Sequence, residues 1–120
     1  MLQFVIIEAM DAGKIPNQDV GWWGDEVNGV RAIHVATLPH PTWSLLIAIH
    51  ELVEQQRCIE HGITAAEVDA WDAAGHPADV PCPYASEHAD ATAVEYAAAA
   101  AFGVDWDEYN LFLEQIYGQH

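Results

Sequence analysis

The residues best placed to do chemistry are His50, Glu51 and Glu54, which interrupt the most apolar stretch of a 120-residue chain. On helical spacing Leu45, Leu46, Ile49, Leu52 and Val53 cover most of the circumference, so these three ionisable groups fall on or beside a largely buried surface. Taking an ionised carboxylate out of water costs several kcal/mol unless a cation, a metal or hydrogen-bond donors replace that water. The chain holds three strong cations, Lys14, Arg31 and Arg57, against 19 acidic residues. A bound metal is therefore the simplest partner for the cluster. His50 and Glu54 are four residues apart and lie one turn from each other on the same face, so an imidazole and a carboxylate can reach one ion. Glu51 sits beside them.

Residues 50–54 read as HExxE, a variant of the HExxH helix in which two side chains bind zinc and the intervening glutamate acts as general base. Here the chain resembles the zincin metallopeptidases. The resemblance implies a motif helix that follows an edge strand, for which the segment from Val30 to Leu38 lies at a suitable distance, and a third ligand from further along the chain. It implies Zn²⁺ as the metal and hydrolysis of an amide or related bond as the activity. The last motif position is Glu rather than His, and the added carboxylate suits Mn²⁺ or Fe²⁺ as well as Zn²⁺. The segment from His50 to Trp71 also looks like small uncharacterised proteins encoded by bacteriophages, a likeness that implies no activity.

For the third ligand, the long alanine-rich segment after Ser86 offers His88 and Glu95, seven residues apart on one helical face but separated by about two turns of rise. The expectation is that His88 joins His50 and Glu54 as a ligand, leaving an open position for water. Glu95 is then a carboxylate supporting a ligand, or a fourth ligand. The small residues Ala89, Ala91, Ala93 and Ala97 to Ala101 would let this helix approach the motif helix closely.

The other polar residues have plainer readings. His61 is expected to interact with the end of the motif helix. Asp69 and Asp72 read as a solvated face rather than a second cation site, and His34 could point from its strand toward the cluster. His40, His76 and His120 fall in loops or at the terminus, where solvent is the default. Trp22 and Trp23 are either core lids or substrate-facing rings. Cys58 and Cys82 lack CxxC spacing and read as small core residues or free thiols, which fits a reducing compartment.

These residues need elements to position them. A strand is expected from Leu2 to Ile7, a loop from Asp11 to Asn17, a turn at Gly21 to Asp25 and a second strand from Val30 to Leu38. Pro39 and Pro41 break the chain, Thr42 can cap a helix from about Trp43 to His61, and Gly62 closes it. Thr64 with Glu67 makes a capping box for a second helix. A proline-rich loop from Gly75 to Pro83 leads to a helix from Ser86 to Phe102, and Asp105 caps a last helix reaching about Tyr117. No internal repeat is present.

Composition limits the partners. A 52% hydrophobic content and five Trp argue for a folded core of one domain spanning residues 1–120. A formal charge of −16 disfavours nucleic acid and anionic membranes as partners, because phosphate binding depends on Lys and Arg. The apolar start lacks a basic flank and reads as strand rather than signal peptide, no run approaches a membrane span, and a cytoplasmic location is expected.

The expected architecture is α+β: a short N-terminal sheet of two to three strands packed on about four helices, in a zincin-like metal-binding domain. The expected function is that of a metal-dependent hydrolase, a peptidase or amidase acting on a peptide or small-molecule substrate. Its alternative is a non-enzymatic acidic protein that binds or inhibits a basic protein partner. A ferritin-like carboxylate site would need Glu-x-x-His pairs on two helices, and the sequence has none.

Overall fold

The computed structural model describes residues 4–118, so Leu2 and His120 lie outside the described residues. Its elements are β1 (Phe4–Met10), β2 (Gly21–Trp23), β3 (Val30–Ala36), α1 (Pro41–Glu60), α2 (Ala65–Ala73), α3 (Ala85–Ala101) and α4 (Trp106–Tyr117), with two short 3-10 turns at Ala12–Lys14 and Pro16–Gln18. This is an α+β domain with a three-stranded sheet and four helices.

The sheet order is β1-β3-β2, with β1 parallel and β2 antiparallel to β3. The strand before the motif helix is therefore central rather than at the edge, and the third strand is the segment Gly21–Trp23, expected as a turn. Three residues are too few to display a two-residue alternation. Their pairing with Ile33, His34 and Val35 decides the conformation. In β3, Ile33, Val35 and Ala36 are buried, while most of β1 is exposed.

Helix α1 begins two residues earlier than expected, with Pro41 in its first turn and His40 rather than Thr42 at the cap. Proline is favoured there because its missing N–H has no intrahelical partner to lose. Gly62, at φ 71°, ends the helix in the left-handed region. Thr64 caps α2, its hydroxyl accepting from the Glu67 N–H at 3.2 Å and donating to the Glu67 carboxylate at 3.3 Å. The Asp105 carboxylate likewise caps α4 by accepting from the Glu108 N–H at 3.0 Å.

Helix α3 packs along α1, but by fewer alanines than expected. Ala91 and Ala99 are buried and Ala98 is partly so, whereas Ala89, Ala93, Ala97, Ala100 and Ala101 face outward. The buried stripe is Glu87, Ala91, Glu95 and Ala99, a residue every four, which follows one side of a helix of 3.6 residues per turn. Helix α4 buries Tyr109 and Leu113, also four apart, beneath this pair. Among the described residues no helix is long and apolar enough to cross a membrane.

Candidate metal centre

Burial of the motif is nearly complete: relative exposure is 1% at His50, 8% at Glu51, 5% at Glu54 and 0% at Glu95. The two arginines do not serve this cluster. Arg31 donates to Gln55 and Gln56, and Arg57 pairs with Glu60 and Asp90. Glu54 and Glu95 are met by imidazoles and neutral donors instead.

Three atoms converge. His50 Nε2 lies 3.1 Å from Glu54 Oε2, His88 Nδ1 lies 2.8 Å from the same oxygen, and the two ring nitrogens are 3.2 Å apart. Donors at the corners of a tetrahedron around an ion with bonds of about 2.0 to 2.1 Å stand about 3.3 Å apart. The observed triangle needs to widen by only a few tenths of an ångström to hold such an ion.

Two of these three atoms are aimed by a neighbour. His50 Nδ1 is 2.7 Å from Glu95 Oε1, and Glu95 Oε2 accepts from the Tyr109 hydroxyl at 2.6 Å. A carboxylate that only accepts places the proton on Nδ1 and turns Nε2 toward Glu54. The Trp23 indole donates to Glu54 Oε1 at 3.0 Å, leaving Oε2 for the imidazoles. Of the two roles open to Glu95, this geometry favours support of His50 over a fourth ligand position. His88 and Glu95, two turns apart on α3, thus straddle the His50 ring.

The electrostatics ask for positive charge at this point. Burial works against a charged His50, yet hydrogen bonds to Glu54 and Glu95 outweigh it and hold its pKa up at about 10. Burial also opposes the Glu54 anion, but hydrogen bonds from His50 and His88 bring its pKa down to about 2. Burial, followed by the Glu54 charge, pushes Glu51 well above the ordinary carboxylate range. A proton on His50 Nε2 meets this demand, and so would a divalent ion in its place.

The cluster forms the floor of a cavity of about 350 Å³. Glu51 lines it and makes no hydrogen bond to another described residue. Gly21 of β2 leaves room for Glu51, since a Cβ at that position would stand 2.7 Å from the Glu51 Cγ and Oε1 atoms. The walls come from β2, α2 and the loop before α3, with Trp22, Asp69, Trp71, Asp72, His76, Cys82 and Tyr84 all contributing.

Comparison with protein-family models, curated proteins and solved structures finds no match to this chain. What the site can do follows from its own atoms.

The structure also corrects several sequence expectations around the site. Asp69 and Asp72 are not a solvated face: Asp69 accepts from the Trp22 indole at 3.1 Å, and Asp72 accepts from the Tyr84 hydroxyl at 2.6 Å. His76 is at the cavity rim rather than simply in solvent, stacked on Trp71 and 3.0 Å from Asp72. Trp23 is buried in the core and Trp22 is partly buried, and both rings border the cavity. His34 pairs with Glu8 and packs on Trp22, and it is not among the cavity-lining residues. His40 is exposed against Trp43. His61 closes α1 through its backbone while its ring meets Glu87. Cys58 is buried, Cys82 is half-buried, and both are free thiols.

Tyr109 and Trp23 also support the site, through Glu95 and Glu54. Their roles depend on contacts 14 and 31 residues distant in sequence, which no local spacing signals.

Proposed function

We propose that this protein is a metal-dependent hydrolase with a zincin-like site, acting as a peptidase or amidase. In this reading His50, Glu54 and His88 hold the ion, Zn²⁺ by the nitrogen-rich donor set, with Mn²⁺ or Fe²⁺ as alternatives. The observation that carries it is the triangle of His50 Nε2, Glu54 Oε2 and His88 Nδ1, at 2.8 to 3.2 Å, on the floor of an open cavity. A bound ion would supply Lewis acidity and ease deprotonation of water near neutral pH.

The chain's own residues do the rest. Glu51 takes a proton from the attacking water as its oxygen bonds to the substrate carbonyl carbon. The C–N bond then breaks, and the proton passes from Glu51 to the departing amine. Glu95, held by Tyr109, keeps the His50 ring in one tautomer and one orientation throughout.

Elemental analysis of protein purified without tag or chelator tests this reading. About one transition metal per chain is expected, and it should be lost in His50→Ala and in His88→Ala. Absence of metal, together with no thermal shift on adding Zn²⁺ or Mn²⁺, sinks it. The formal charge of −16 would then favour the second reading, an acidic protein that binds a basic protein partner.

A further inference from the structure

The chemistry of the cavity walls differs from that of its floor. Helix α2 turns Val68, Asp69, Trp71 and Asp72 into the cavity, a set spaced i, i+1, i+3, i+4 that covers one helical face. Asp19 joins from the loop before β2, and Trp22 and Tyr84 complete an aromatic surround. No lysine or arginine lines the cavity among the described residues.

A cluster of acids can be mere solvated surface, but two observations separate this one from that case. Asp69 and Asp72 are fixed from across the cavity by the Trp22 indole and the Tyr84 hydroxyl, so the fold holds both carboxylates in a concave wall. The Glu51 carboxyl, more than nine-tenths buried and without a hydrogen bond to a described residue, also lines this space.

We infer that the α2 wall is a recognition site for a positively charged group, an alkylammonium or guanidinium on the substrate. This deepens the hydrolase reading and rests on it, since it assigns the class of substrate to the same cavity. Carboxylates supply the countercharge, and the Trp22 ring supplies cation-π attraction and covers the aliphatic stem, whereas Trp71 is stacked on His76. The field of a chain with net charge −16 draws cations to the mouth and repels anions, which disfavours phosphate esters as substrates. The cation arrives either as a lysine or arginine side chain or as a peptide's N-terminal ammonium. Both present the same chemistry.

Calorimetric binding distinguishes the two sources and does not depend on turnover. The probes are acetyl-Ala-Lys-Ala-amide, acetyl-Ala-norleucine-Ala-amide and the unacetylated norleucine peptide. They are titrated into the metal-free protein and into zinc-loaded Glu51→Gln. The lysine peptide, the free-amine peptide or both should bind at least about tenfold tighter than the neutral acetylated one, and the preference should shrink at high salt. Asp69→Asn and Asp72→Asn should each erode the preference while leaving zinc affinity and melting temperature near those of the parent. A protein that takes up zinc and binds the three peptides equally overturns the inference alone. A protein that takes up no zinc yet keeps the preference overturns the metal reading and leaves the cation site standing.

Discussion

Glu51 and Glu95 are both buried carboxylates beside His50, but the site gives them opposite work. Glu51 faces the cavity without a hydrogen-bond donor among the described residues, whereas Glu95 is held by His50 and Tyr109. Glu51→Gln should therefore keep metal and fold and abolish turnover, because the amide preserves shape but cannot take a proton. Glu95→Gln should instead weaken metal affinity by about 10- to 100-fold, the usual cost of losing a partner behind a ligand. Metal content and peptide hydrolysis, measured on both variants, check the division; loss of metal in Glu51→Gln would make Glu51 a ligand and not a base. The metal-free protein also carries a pH signature. The raised pKa of His50 contributes stability fully present below about 6.5 and lost as pH rises through about 10. The lowered pKa of Glu54 contributes stability present above about 4.5 and lost as pH falls toward about 2. The two describe one ion pair, so the melting temperature without metal should peak between about pH 4.5 and 6.5, and saturating zinc should flatten the alkaline side by replacing the proton. An unchanged alkaline limb with zinc bound would show that the ion sits elsewhere.

At the scale of elements, the cavity depends on a three-residue strand. Gly21 stands against Glu51 and Ile47 of α1, and an added Cβ would lie 2.7 to 2.8 Å from both side chains. Gly21→Ala should therefore displace Glu51 or push β2 away from α1, cutting hydrolysis far more than metal content, because no ligand is carried on β2. Parallel assays of activity and bound zinc test this, and equal losses of both would mean that the whole α1 packing had shifted. The same strand marks the limit of what the sequence could reveal. The four helices were legible because proline, the Thr64 and Asp105 caps and Gly62 are local signals whose partners lie within one turn. The pairing of His50 with Glu54 was legible for the same reason. The choice of His88 followed from helical spacing and from the need for a third ligand. The strand Gly21–Trp23 was not legible, since its conformation is fixed by β3. Nor were Asp69 and Asp72, whose apparent solvated spacing on α2 is overridden by hydrogen bonds from Trp22 and Tyr84, the first 47 residues away.

At the scale of the whole molecule, the site lies where a core would otherwise be continuous. Helices α1 and α3 meet through His50, Glu54, His88 and Glu95, with Leu46, Ala91 and Ala99 also buried on these two helices. Polar groups so placed stabilise the helix pair only while their charge is balanced. The balance must come from a proton or an ion, because Arg31 and Arg57 are engaged elsewhere. An ion bound by ligands from both helices acts as a crosslink that exists only in the folded chain. Free zinc at a thousand times its dissociation constant should then stabilise the fold by about 4 kcal/mol. For a domain of this size that raises the melting temperature by roughly 10 °C or more. The rise should be reversed by chelator and absent in His88→Ala, which removes only the α3 side of the crosslink. Calorimetry with and without zinc measures it. A zinc-dependent rise that survives in His88→Ala would mean that α1 alone holds the ion, and that the closeness of α3 is packing without coordination.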